Sequence, residues 1–223
     1  MAKPDGKRKH RKGPSLEVIL LYAFLIFLAI LFVLPIFYLF MGSFKAESEL
    51  FRTPFKWLPD KFRLDNFVNM FSSIPFFKYL KNTMIIVICN IAGSLLSCSL
   101  VAYGFSRLRW PGRDKVFILV LITMILPYQV TLVPLFLMFT KMKWIGTFLP
   151  LTVTCFFGNP FFIFLLRQFF TGIPQDISEA ARIDGAGEFT IFSKLVIPMA
   201  KPALTTVAIF AFIRSWKDFL GPL

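Results

Sequence analysis

The sequence predicts an all-α, polytopic membrane helix bundle. Three observations lead there. Of the 223 residues, 57% are hydrophobic and only 17% are charged, with 30 Phe, a balance outside the range of ordinary soluble domains. Five long stretches, at about 17–41, 82–105, 116–139, 145–166 and 195–213, are nearly free of charge, and about 20 apolar residues cross a hydrocarbon layer of about 30 Å. Lys and Arg gather at the edges of those stretches, where headgroups and the positive-inside rule place them.

The elements follow in order. Residues 1–15 form a basic tail, with Lys3, Lys7, Arg8, Lys9, Arg11 and Lys12 against Asp5 alone. The first apolar run is too long for a signal-peptide core, and no small-residue cleavage site follows Met41. It reads as a retained anchor. The segment 42–78 links it to the second span. Within that span Gly93 and Ser97 form a small-xxx-small pair, which favours helix packing over solute contact. The ten-residue loop 106–115 carries Arg107, Arg109, Arg113 and Lys115. Tail and loop should both be cytoplasmic, and the two spans between them make the signals agree. Segment 42–78 then lies outside, as does the turn at Lys141–Trp144. Trp57, Trp110, Trp144 and Trp216 fall near the expected interfaces.

The third and fourth spans contain breakers, Pro127 and Pro134, then Asn159-Pro160. Two readings stay open for the stretch Pro127–Thr131. Tyr128, Gln129 and Thr131, with Asn159, line a translocation path, or these are prolines tolerated in membrane helices with polar neighbours bonding to other helices. The fifth span is short and holds Lys201 near its start, where the side chain snorkels to the interface.

Several functions are disfavoured. The net charge of +13 does not indicate nucleic acid, because no motif or basic reading face accompanies it. Cys89, Cys98 and Cys155 all lie in apolar runs without a CxxC pair, and His10 is the single histidine. No metal site, disulfide framework or cofactor is expected. The first four spans hold no Asp or Glu beyond Glu17 at the edge, which weakens a proton-driven carrier. A membrane enzyme lacks paired acids or a metal constellation. A passive channel, or a pump driven by an outside motor, remains.

Counting spans places 167–198 on the cytoplasmic side. This stretch is a polar island with Asp176, Glu179, Asp184 and Glu188. Pro174 and Asp176 suit a helix start, Ala180 and Ala181 favour helix, and Glu179 and Arg182 are spaced to pair. Gly185 ends the helix through the left-handed conformation. A second helical stretch follows with Phe189, Phe192, Leu195 and Val196 on one side, and Pro198 begins the return to the membrane.

Glu179-Ala180-Ala181, three residues, Gly185, nine residues, then Leu195-Val196-Ile197-Pro198 resembles the EAA loop of ABC importer permeases. The resemblance extends to Asn82-Thr83, Ala102–Leu108, Pro111–Arg113, Pro127–Leu135, Phe164–Phe170 and Ser215–Leu223. The chain thus resembles the permeases of binding-protein-dependent importers with the type I, MetI-like fold, in the carbohydrate branch. Lys217 stands where that family usually has Asn. The family continues past Leu223 into a sixth span and a tail, so the chain reads as truncated before that helix.

The resemblance implies a sugar-importer permease that is not itself an enzyme. Glu179, Ala180, Ala181, Asp184, Gly185 and Pro198 would couple it to a separate ATPase dimer. A second permease subunit, an external solute-binding protein and the lipid of a bacterial inner membrane are the implied partners. No GxxxxGK[ST] phosphate loop occurs in the sequence. A non-sugar solute such as glycerol phosphate, or an ATP-independent facilitator, is the alternative.

Overall fold

The computed structural model of the chain describes residues 15–54 and 56–222. The expected basic tail, apart from Ser15, lies outside the described residues. The described residues form helices and turns, with no strand among them, and divide into two units, 1–76 and 77–223.

The first unit holds α1 (Leu16–Gly42), α2 (Glu47–Leu50) and α3 (Asp65–Ser73). α1 is apolar on every side and has no buried residue, as expected of a helix facing lipid or another subunit. After it, the chain is fastened by short-range polar contacts. Lys45 is buried and its Nζ donates to the Lys56 carbonyl. Asn66 Nδ2 donates to the carbonyls of Ser43 and Lys45 at 2.9 and 2.8 Å. Phe44 meets the rings of Phe40, Phe62 and Phe67. The 42–78 segment is therefore a folded element rather than a bare linker.

The second unit takes in all but the first residue of α4 (Phe76–Ser106), followed by α5 (Arg113–Ile122) and α6 (Tyr128–Lys141). The third expected span is not one helix. α5 gives way to a tight turn of helix at 123–125, and α6 leaves at 96° to it. Alone, the ten residues of α5 reach about 15 Å and the fourteen of α6 about 21 Å, each short of a full crossing. The cause is Pro127. It forces Leu126 into extended backbone (ψ 117°) and stands as the cap before α6. Pro134 sits inside α6, which runs on past it.

The fourth span comprises α7 (Leu149–Thr152), a tighter turn at 153–157 and α8 (Pro160–Gly172). It ends six residues beyond the expected 166. Gly158, at φ +87°, breaks the path, and Asn159 restarts it. The Asn159 Oδ1 accepts from the backbone N–H groups of Phe161 and Phe162 at 3.0 and 3.2 Å, with Pro160 at the first helical position.

α9 (Gln175–Ile183) and α10 (Glu188–Ile191) follow, then a π-helical turn at 192–196, α11 (Ile197–Met199) and α12 (Lys201–Trp216). The expected fifth span, 195–213, is shifted. Residues 195–199 belong to the helical stretch before a 79° bend, and α12 begins only after Ala200. Lys201 is exposed in the first turn of α12.

α8 is the central helix of this unit, packed against both α5 and α12. The core joins Cys98, Ala102 and Phe105 of α4, Phe117 of α5, Leu166 and Phe170 of α8, and Ala203, Val207 and Ala211 of α12. Those last three are spaced four residues apart, so small side chains line one face and let helices approach closely. Gly93 behaves as expected. An added Cβ there would collide with the Cys155 sulfur, and Ser97 Oγ donates within reach of both the Gly93 and Cys155 carbonyls, at 2.7 and 2.9 Å. Among the described residues, Leu16–Gly42, Phe76–Ser106 and Leu149–Gly172 are long and apolar enough to cross a membrane, and each bent pair counted as one span brings the number to five.

Candidate functional site

The polar island folds as a helix, a glycine turn and a second helix. Pro174, in extended backbone, stands at the cap position before α9 rather than in its first turn, and Asp176 lies in that turn. α9 is strongly amphipathic. Ser178 is buried, Ile177 and Ala181 pack on the core, and Glu179 and Ala180 face outward. Ile183 is also outward, at 86% exposure. The sequence reading passed over it. Its signal was an aliphatic residue at the end of an otherwise polar helix, one that finds no core.

Gly185 closes α9 at φ +83°. The Ala186 N–H bonds the Ala181 carbonyl at 2.9 Å and the Gly185 N–H bonds that of Arg182 at 3.0 Å, the paired bonds of a Schellman cap. Asp184 and Gly185 are exposed at the turn.

The expected Glu179–Arg182 pair does not form. The Gly185 turn folds the chain back so that Glu188 reaches the last turn of α9. Arg182 Nε binds Glu188 Oε1 at 2.7 Å. The other Glu188 oxygen accepts from the Tyr103 hydroxyl of α4 at 2.6 Å. The Arg182 guanidinium, then the Tyr103 hydroxyl, hold the Glu188 carboxyl below its ordinary value. One carboxylate thus ties α9, α10 and α4 together. Glu179 makes no hydrogen bond or ion pair among the described residues and stays open to a partner.

The second helix seats itself through Ile191, Phe192 and Val196, all buried, with Leu195 half-buried. Phe189 departs from the expected face and is 74% exposed, because the helix begins only at Glu188 and Phe189 lies on its outer side. Phe192 meets the Tyr103 ring edge-on at 5.2 Å. Pro198 is exposed in α11, just before the 79° bend. Arg107, buried at the end of α4, donates from Nη2 to the Ile173 carbonyl at 2.6 Å and so fixes the start of the island. Burial pushes its guanidinium below the ordinary value. Between loop 106–115 and α9 lies a polar cavity of 590 Å³ whose lining includes Arg107, Arg109, Glu179 and Arg182.

A second cavity, of 480 Å³, lies among the membrane helices. Two of the four expected path residues, Tyr128 and Asn159, line it; Gln129 and Thr131 do not. The Thr131 hydroxyl instead donates to the Tyr128 carbonyl within its own helix at 2.8 Å. Asn159 spends its side-chain oxygen on the α8 cap, so only its amide N–H₂ is left for a solute. The sequence reading missed Asn90, Arg214, Ser215 and Asp218, which share the lining. Asn90 Nδ2 donates to Ser215 Oγ at 3.0 Å, bridging α4 and α12. Polar side chains at the end of the last apolar run were the available signal.

Residues 93–223 match the sequence profile of the binding-protein-dependent transport system inner membrane component. The chain belongs to that family. Among the relatives of this inner membrane component is the diacetylchitobiose uptake system permease protein NgcG of Streptomyces coelicolor, 34% identical over 91% of this chain and 67% of its own length. Another is the arabinooligosaccharides transport system permease protein AraQ of Bacillus subtilis, 33% identical over 96% of this chain and 77% of its own. A crystal structure of a bacterial ABC transporter involved in import of the acidic polysaccharide alginate superposes with a TM-score of 0.82 at 25% identity, covering 93% of this chain and 74% of that one. The expected MetI-like, all-helical permease fold therefore holds, and the protein is a multi-pass membrane permease of the ABC importer type.

Within this inner membrane component the Glu188 bridge has a measurable weight. Both partners of its ion pair with Arg182 are more than a third exposed, so the pair contributes about 0.2–1 kcal/mol. Glu188→Gln should lower the melting temperature in detergent by no more than about 2–4 °C. Because the carboxyl is held below its ordinary value of 4.5, its contribution is fully present above that value and is lost as pH falls through the lowered one. The gap between wild type and variant should stay constant across the neutral range. A gap that widens or closes there would show that another group carries the link.

Proposed function

We propose that this permease forms half of the translocation path of an ATP-driven oligosaccharide importer. In this reading α9 docks in a groove on a separate cytoplasmic ATPase, which holds all of the ATPase activity. A second permease subunit completes the path, and a solute-binding protein delivers the saccharide from outside. The N-terminus lies in the cytoplasm and annular lipid surrounds the helices.

One observation carries the coupling: Glu179, Ala180 and Ile183 are presented outward on a helix whose other face is seated in the core and whose end is fixed by the Gly185 cap. Small and apolar side chains there permit close approach of a partner, while Glu179 offers charge. The Tyr103–Glu188–Arg182 link gives the motion of α9 a path to α4. ATP and loaded binding protein must then favour the same state of the spans, which is a reciprocal coupling. The saccharide class is supported by the diacetylchitobiose and arabinooligosaccharide transport systems of which NgcG and AraQ are permeases and by the hydrogen-bonding lining of the 480 Å³ cavity.

The test is uptake of labelled oligosaccharides into proteoliposomes holding the permease, its sister subunit and the ATPase. Accumulation against a gradient that requires both internal ATP and external binding protein is expected. Equilibration without ATP would make the protein a facilitator. ATP-dependent accumulation of a non-saccharide alone would keep the coupling and overturn the solute class.

A further inference from the structure

A third cavity, of 410 Å³, sits in loop 106–115 and the start of α5, lined by Arg109, Trp110, Gly112, Arg113, Asp114 and Lys115. Three basic side chains face one acid. The acid is spent: Asp114 binds Arg113 through both oxygens, at 3.1 and 3.3 Å, and also Arg167 at 3.5 Å. Arg109 and Lys115 have no hydrogen bond or ion pair among the described residues. The wall between them is held in place. Trp110 Nε1 donates to the Gly104 carbonyl at 3.2 Å and its ring leans on Phe105. Gly112, at φ +84°, turns the chain beneath it.

We propose that this cavity holds the phosphate of an anionic phospholipid, with Arg109 and Lys115 supplying the free charges. The chemistry of a phosphate alone would also suit a soluble ion. What selects the lipid is the surface that continues from the cavity. Val116 and Leu119 of α5, one and four residues after Lys115, are 41% and 62% exposed and form a place for an acyl chain. The loop lies at a membrane boundary, since it separates the end of α4 from the start of α5, and basic pockets at such boundaries bind anionic headgroups. The inference requires only that boundary, and nothing about the solute or the ATPase.

The experiment reconstitutes the full-length permease in phosphatidylcholine nanodiscs containing labelled phosphatidylglycerol and counts the labelled lipid retained per protein. Wild type should enrich phosphatidylglycerol, and the enrichment should weaken as salt is raised. Arg109→Gln with Lys115→Gln should weaken retention by about fivefold for each basic residue lost. Lys141→Gln with Lys143→Gln, which removes equal charge elsewhere, should retain it. Equal loss in that second pair would overturn the site by reducing it to bulk charge, and unchanged retention in the first pair would overturn it directly. Displacement of the lipid by millimolar inorganic phosphate would replace the lipid with a free anion. Melting curves in pure phosphatidylcholine, expected to be the same for all variants, separate lost binding from lost folding.

Discussion

Gly185→Val should abolish most transport while leaving the permease in the membrane. The residue sits at φ +83°, where a β-branched side chain is a genuine outlier and an L-residue costs about 1–2 kcal/mol. An added Cβ would meet nothing within 4 Å, so the strain is entirely in the backbone and no repacking relieves it. The chain would relax by opening the turn. That breaks the two cap bonds from Ala186 and Gly185 and carries Glu188 away from Arg182. α9 would then dock, if at all, without a rigid link to α4. A loss of about 1.4 kcal/mol in coupling is tenfold, so uptake should fall at least about tenfold. Membrane insertion depends on the apolar spans and should be unchanged. Gly185→Asn is the matched comparison, because Asn tolerates the left-handed region, and it should keep much of the activity. Full uptake in the Val variant would refute the view that the turn transmits force.

How far the sequence foretold this arrangement depends on the scale of the signal. Apolar runs are long and additive, so the apolar helices were legible from composition along the chain, although the third and fifth runs fold as bent pairs. The Gly185 turn was legible because one residue type solves one backbone problem. The 96° break after α5 was half visible. Pro127 announced a breaker, but a proline fixes only its own φ and its neighbour's range. It does not fix the angle between the helices on either side of the break. Partner choice was not legible at all. Arg182 lies three residues from Glu179 and six from Glu188, and helical spacing favoured the nearer acid. The turn brought the farther one closer, with Tyr103 of α4 joining from 85 residues away. The cavity lining failed for the same reason. Asn90 and Ser215 meet across 125 residues, a distance over which no local pattern carries information. The charged members, Arg214 and Asp218, sit at the frayed end of an apolar run, where they look like interface residues.

The island also separates two jobs that adjacent residues perform. Arg182 and Glu188, though both partly exposed, are paired with each other and through Tyr103 hold the loop to the span, while Glu179, Ala180 and Ile183 are exposed and make no hydrogen bond or ion pair through their side chains among the described residues. Substitutions in the two sets should therefore fail differently. Changes to the paired residues should lower stability with the ATPase still recruited; changes to the unpaired ones should lose the ATPase with stability nearly intact.

Glu179→Lys is the sharpest test of that division. Glu179 is exposed and makes no hydrogen bond or ion pair among the described residues, so reversing its charge leaves the packing of α9 untouched; the new repulsion from Arg182, which lines the same cavity, costs about 0.2–0.5 kcal/mol, and the melting temperature should fall by no more than about 2 °C. If Glu179 meets a basic group on the ATPase, the reversal removes an attraction and adds a repulsion. Truncating one member of a buried interfacial charge pair already costs about 2–5 kcal/mol. Co-purification of the ATPase should therefore drop by at least about tenfold, with uptake falling in step. Glu179→Gln, which removes charge but keeps shape and hydrogen-bonding capacity, should lie between wild type and Lys. A graded series of Glu, Gln and Lys in ATPase recovery, at melting temperatures within about 2 °C of one another, would place the interaction at the interface. A flat series would mean that Glu179 faces solvent in the assembled importer, and that Ala180 and Ile183 alone make the contact through close apolar packing. In that case Ile183→Asp, on the same outward face, would become the variant that releases the ATPase.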